Sequence, residues 1–141
     1  MKRTATANWT GTLKDGKGTL DTLSGAFKAQ AYTHKGRFVD ESGQSGTNPE
    51  ELIAAAHSGC FAMQFAQYLA DNGTPADLLT VTASVELITG TGITGSALSL
   101  KARIPGIDQA RFIELAEKAR ANCPVSKALG AIKITLDARL S

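Results

Sequence analysis

Apolar and polar residues alternate over several stretches of this chain, and one long stretch abandons alternation altogether. Ala5, Ala7 and Trp9 face one way and Thr4, Thr6, Asn8 and Thr10 the other, which predicts a half-buried strand. Lys14-Asp15-Gly16-Lys17-Gly18 carries the Asp-Gly signature of a hairpin turn. A strand through Thr19 to Leu23 and another with Phe27, Ala29 and Ala31 facing inward would complete an antiparallel sheet. Gly36 through Gly46 is polar and glycine-rich and reads as a loop containing Arg37-Phe38. Alternation returns in Leu79, Val81, Ala83, Val85 and Leu87, then in Leu98, Leu100, Ala102 and Ile104 beyond a glycine-rich turn. It returns last in Ile132, Ile134, Leu136, Ala138 and Leu140.

The unalternating stretch opens on a helix start. Asn48 is the N-cap, Pro49 takes the first helical position and Glu51 stands at the third, a capping-box-like pair. From Leu52 to Ala66 the helix is apolar nearly all round, so it must be covered on several sides, most easily by a second subunit. Ser58-Gly59 is the expected place for a bend or a break. Further on, Pro105-Gly106 stops a strand and Asp108 caps a helix with Phe112, Leu115, Ala116 and Ala119 on one face. Cys123-Pro124 opens a short helix. The order βββ-α(α)-ββ-αα-β is α+β, with helices packed on antiparallel sheet, in a single domain over residues 1–141.

Composition changes this picture little. Hydrophobic residues at 43% and charged residues at 20% suit a globular chain, and 141 residues suffice for a core. A net charge of +2 from scattered basic residues gives no footprint for nucleic acid. The N-terminus has basic residues with no apolar run behind them, so it does not read as a signal peptide. Leu52 to Ala70 lacks charge, but His57, Ser58, Gly59, Gln64 and Gln67 interrupt it, favouring a buried helix over a membrane span. The expected location is cytoplasmic, where stable structural disulfides are rare.

The candidate chemistry lies in two cysteines. His57-x-x-Cys60 has helical ligand spacing, but only Cys123 and His34 could complete a zinc set; the plainer reading of His57 is a hydrogen-bonded helix residue. No G-x-S-x-G is present. Gly90-x-Gly92-x-x-Gly95 matches a dinucleotide fingerprint literally but lies between two strands, the wrong context. Cys60 and Cys123 are therefore either silent core residues or one redox couple. Local sequence favours Cys123 as nucleophile, because a helix N-terminus stabilises a thiolate while apolar burial around Cys60 opposes one.

The run Gly46-Thr47-Asn48-Pro49-Glu50-Glu51-Leu52-Ile53-Ala54-Ala55-Ala56-His57-Ser58-Gly59-Cys60-Phe61, with Cys123-Pro124-Val125-Ser126, resembles the OsmC/Ohr family of thiol-dependent peroxidases. The resemblance runs nearly end to end, including Ala7-Asn8-Trp9-x-Gly11 and Ile134-Thr135-Leu136-Asp137. His57 and Arg37-Phe38 favour the OsmC branch over the organic hydroperoxide resistance (Ohr) branch. In the Ohr branch the active-site arginine comes from the first strand turn, where this chain has Lys14 and Lys17.

The resemblance implies an OsmC-like fold, antiparallel sheets on a central buried helix in an intertwined homodimer. It makes Cys60 the peroxidatic and Cys123 the resolving cysteine, which reverses the local preference. Arg37 would stabilise the thiolate and bind peroxide, and Glu50 would orient Arg37 through a bidentate salt bridge. On an unbroken helix the ten residues from Glu50 to Cys60 rotate about 280° and rise about 15 Å. A shared site thus needs a bend near Ser58-Gly59 or an Arg37 that spans between them. No metal, haem or flavin is implied. The expected partners are a small organic hydroperoxide, an external dithiol such as a lipoylated protein, and a second copy of the chain, with neither nucleic acid nor membrane. Phe61, Phe65 and Met63 are compatible with an alkyl pocket or with plain core. A non-enzymatic binder of a lipid-like molecule and a dithiol redox sensor are the competing readings.

Overall fold

The computed structural model describes residues 1–141, which fall into two compact units, Met1–Leu52 and Ile53–Ser141. The first carries an antiparallel sheet of strands β1 (Ala5–Thr10), β2 (Lys17–Thr22) and β3 (Gln30–Thr33), in that order. The β1–β2 connection is longer than a two-residue Asp-Gly turn: Thr10 pairs with Lys17, and Gly11 supplies the left-handed residue at φ 88°. Gly18 is needed for close approach, because a Cβ there would stand 2.5 Å from the Tyr32 ring and 2.7 Å from the Trp9 ring. Without it those two rings could not meet at 5.3 Å across β2.

Three expectations for this unit fail. Strand β1 is exposed along its whole length rather than half-buried. Phe27 and Ala29 lie in the β2–β3 connection rather than in a strand, and Ala29 adopts φ 50°, its N–H bonded to Asp21 Oδ1. Ala31 is in β3, but exposed. Arg37 does not lie in a loop either. His34–Phe38 is a short helix, α1, whose N-cap Thr33 accepts a hydrogen bond from the Gly36 N–H.

Helix α2 (Pro49–Asp71) starts as its sequence predicts, with Asn48 Oδ1 accepting the Glu51 N–H at 2.8 Å. It continues for 23 residues without the expected break at Ser58-Gly59. Ser58 stays within it, its Oγ donating to the Ala55 carbonyl one turn back, and Gly59 is carried through as a helical residue.

The second unit adds β4 (Leu78–Ile88), β5 (Gly92–Arg103), α3 (Gln109–Asn122), α4 (Pro124–Ala128) and β6 (Lys133–Leu140). The sheet order is β4-β5-β6. β4 and β5 form the expected hairpin, with Gly90 and Gly92 at positive φ in its turn. β6 pairs with β5 in parallel, against the expected all-antiparallel arrangement, because α3 and α4 carry the chain back before it enters the strand.

The core joins Phe61, Phe65 and Leu69 of α2 to Leu98, Leu100 and Ala102 of β5 and to Phe112, Leu115, Ala116 and Ala119 of α3. Phe65 packs 6.1 Å from Phe61 and edge-on, 5.8 Å, from Phe112. Asp108 caps α3 by accepting the Arg111 N–H. Helix α2 is covered on one side only within the chain. Ala55, Ala56, Gly59, Met63, Ala66 and Ala70 are exposed, Met63 at 77%. Phe61 and Phe65 are wholly buried as part of this core, whereas Met63 points away from it.

Candidate active site

Two clusters of chemistry-bearing side chains form, one in each unit. In the second, the free cysteines Cys60 of α2 and Cys123 at the α3–α4 junction are neighbours, Cys60 packed against the core cluster that contains Cys123. Cys123 is fully buried, and Cys60 partly. The break between α3 and α4 that positions Cys123 follows from Pro124, which has no N–H to continue a helix but fits the first position of a new one. Burial pushes the Cys60 thiol above its ordinary value, and the hydrogen bond with Cys123 adds to this. The backbone N–H of Val125 in α4 works the other way. The groups acting on this thiol are thus a second thiol and an amide, neither of them a cation.

His57, one turn before Cys60, is fully buried. Its Nδ1 lies 2.7 Å from Ser96 Oγ on β5 and its Nε2 lies 2.8 Å from Ser126 Oγ on α4. Burial holds the imidazole below its ordinary pKa, so the ring is neutral near pH 7, with one nitrogen donating and the other accepting. Both nitrogens are engaged by serines, the hydrogen-bonded role that the plainer sequence reading gave this residue. His34 lies in the first unit, its ring 5.0 Å from that of Phe38.

In the first unit, Arg37 of α1 meets Glu50 of α2 in a two-point ion pair. Nη2 donates to Oε1 at 2.7 Å and Nε to Oε2 at 3.2 Å. Glu50 is only 10% exposed at its side chain and Arg37 33%. The guanidinium also lies 4.8 Å from the Phe38 ring centroid. A cavity of about 60 Å³ beside it is walled by Trp9, Leu13, Tyr32, Phe38 and Pro49. The connection from α1 to α2 is tied by Asp40, whose carboxylate accepts N–H groups of Ser42, Gln44 and Ser45 and the Ser42 hydroxyl. Those bonds hold the Asp40 carboxyl far below the usual carboxylate range.

Each pair, Cys60 with Cys123 and Arg37 with Glu50, is thus assembled within one unit. Sequence reading missed Ser96 and Ser126. The signal was present for Ser96: it occupies the inward register of Leu98, Leu100 and Ala102, where a buried hydroxyl requires a partner.

A sheet-and-helix α+β chain that brings two free thiols into contact defines a dithiol protein rather than a disulfide-stabilised one. The family model for OsmC-like proteins matches residues 42–137, and the chain belongs to that family. It is 44% identical to peroxiredoxin OsmC of Escherichia coli (strain K12) over 137 residues, 95% of this chain and 93% of that protein. It is 33% identical over 107 residues to the organic hydroperoxide resistance protein of Xanthomonas axonopodis pv. citri (strain 306), 71% of this chain and 72% of that one. Among solved structures, the organic hydroperoxide resistance protein of Elizabethkingia anophelis superposes with a TM-score of 0.72 at 28% identity, covering 100% of this chain and 99% of that chain. No helix of the chain is long and apolar enough to cross a membrane.

Proposed function

We propose that this chain is a cysteine-based peroxidase that reduces organic hydroperoxides, and hydrogen peroxide more weakly, in defence against oxidative or osmotic stress. The observation that carries the reading is the contact between the Cys60 and Cys123 thiols, 63 positions apart in sequence. Relatives named for peroxiredoxin activity and organic hydroperoxide resistance support it.

Cys60 acts as the thiolate. It attacks the distal peroxide oxygen, the O–O bond breaks, the alkoxide leaves as alcohol, and Cys60 becomes a sulfenic acid. Cys123 condenses with it to a disulfide, and an external dithiol restores both thiols by exchange.

The raised Cys60 pKa means that the thiolate needs a cation, and Arg37, held in a fork by Glu50, is the group suited to supply it. Glu50 and Cys60 stand ten residues apart on one unbroken helix, about 15 Å along its axis. In this reading Arg37 therefore serves Cys60 of a second copy, and residues 1–141 form one OsmC-like domain completed in a homodimer. The exposed apolar side of α2 supports that assembly. The apolar cavity beside Arg37 suits the organic part of the peroxide. A reducing cytoplasm, where free thiols persist, suits the couple.

The test is turnover of cumene hydroperoxide with a lipoyl dithiol. Wild type turns over, Cys60→Ser consumes none, and Cys123→Ser consumes one equivalent and stalls. Loss of the first equivalent in Cys123→Ser, or its retention in Cys60→Ser, would refute the assignment. Sedimentation at micromolar concentration tests the dimer, and a stable monomer there would rule out service across subunits.

A further inference from the structure

Two contacts join α2 to the Cys123–Ala128 segment, and only one of them is between thiols. Cys60 meets Cys123; three residues earlier on α2, His57 meets Ser126, which follows Cys123 by three. Stepping forward from His57 to Cys60 on one side means stepping back from Ser126 to Cys123 on the other. Residues three apart share a helix face, so the two contacts are successive rungs of one seam.

The imidazole rung is anchored and the thiol rung is not. His57 Nδ1 meets Ser96 on β5, the central strand of its sheet, which has neighbours on both sides. By contrast α4 is only five residues long, and its N-cap residue Cys123 makes no side-chain capping bond. So short a helix has little stability of its own. Besides its own helical bonds, the segment is tied by the Cys123 N–H to the Ala119 carbonyl at 2.8 Å and by Ser126 to His57.

We infer that His57 is a positioning residue for the resolving step: through Ser126 it pins α4 to β5 and keeps the Cys123 sulfur within reach of an oxidised Cys60. The inference rests on the reading of the two thiols as a redox couple. In that step the Cys123 sulfur supplies the electron pair of the new S–S bond, and the S–O bond of the Cys60 sulfenic acid breaks. The departing hydroxide takes the Cys123 proton and leaves as water. A disulfide closes the sulfurs to about 2.05 Å, so a segment that drifts outward delays the bond. A sulfenic acid that waits meets a second hydroperoxide and becomes a sulfinic acid, which thiols do not reduce. The pin therefore sets the partition between resolution and inactivation, and leaves the initial attack on peroxide to other groups.

The experiment follows the reduced full-length protein after one equivalent, and then an excess, of cumene hydroperoxide. Sulfenate, disulfide and sulfinate are quantified by trapping with dimedone and intact mass. Ser126→Ala, which keeps volume and removes the rung, should slow disulfide formation about tenfold, the loss of one buried hydrogen bond. It should raise the sulfinate yield in excess peroxide while sulfenate formation changes far less. His57→Ala should do the same or more, and His57→Gln, which offers one donor and one acceptor, should recover most of the resolving rate. Folding is checked by the thermal melt, and where His57→Ala does not fold, Ser126→Ala decides alone. A folded Ser126→Ala that resolves at the wild-type rate overturns the pin, as does one that loses both steps equally. A wild type that forms no disulfide with one equivalent overturns the underlying couple, and the pin with it.

Discussion

The two units bury their residues in opposite ways. Of residues 1–52, only Gly18, Gly36 and Glu50 are buried, while Leu13, Leu23, Phe38 and Val39 are exposed. Residues 53–141 close Phe61, Phe65, Leu69, Leu98, Leu100, Phe112 and Leu115 away from water almost completely. The first unit is held by directional bonds: strand ladders, the Asp40 turn and the Arg37–Glu50 fork. The second is held by apolar burial. The chemistry follows the same division. A permanent charge is cheap to keep where water reaches it, and a neutral thiol is cheap to keep in a core, but a buried thiolate needs a charge brought to it.

The sharpest test of the contrast is thermodynamic. Phe65→Ala should cost about 3–5 kcal/mol by denaturant titration, because it empties a site between Phe61 and Phe112. Leu23→Ser, 80% exposed, should cost under about 0.5 kcal/mol. Comparable losses in both would show that the first unit has a core of its own, supplied by a second copy.

The next effect is catalytic. Arg37→Ala should lower peroxidase kcat/KM about a hundredfold, the scale of one lost transition-state donor, and shift Cys60 alkylation to higher pH. Glu50→Gln should be milder, since it loosens the guanidinium without discharging it. An Arg37→Ala variant with wild-type turnover and alkylation would confine the fork to a structural role.

The smallest effects are in pH. His57 has its folded pKa lowered, so below the unfolded value of about 6.5 the unfolded chain binds a proton that the folded chain refuses. Stability should fall from there as the medium is acidified, and His57→Gln should flatten that slope. In the Arg37→Ala variant, where no cation offsets burial, Cys60 keeps its raised folded pKa, so stability should fall as pH rises beyond the ordinary thiol value, and adding Cys60→Ser should remove this loss. Melting temperatures across the pH range, read beside those of these variants, check both signs.

Much of the second unit was legible because its patterns are local. Asp108 and the spacing of Phe112, Leu115, Ala116 and Ala119 define a capped, one-faced helix, and the even-numbered residues of β5 define an inward face. The direction of β6 was not legible, since a half-buried strand alternates alike beside a parallel or an antiparallel neighbour. Phe61 and Phe65 could line a pocket or fill a core, and only packing against Phe112 decides. The cysteines show the same limit. Helix-end electrostatics at Cys123 is a local signal and pointed to it as nucleophile. The contact with Cys60 is long-range and emerged first from family motifs, then from the fold.

The parallel pairing of β6 also sets the order in which the chain can be completed. A parallel neighbour is not reached by a tight turn, so the 29 residues between Arg103 and Lys133 must be organised before the last strand gains its ladder. Cys123 sits inside that crossover, and α3, which leads to it, packs on β6. The stretch that carries Cys123 is therefore ordered ahead of the last ladder, and the two sulfurs can come together before β6 docks. The rate at which the thiols become linked under mild oxidant during refolding then reports the ordering of α3 and α4 as much as the chemistry of sulfur.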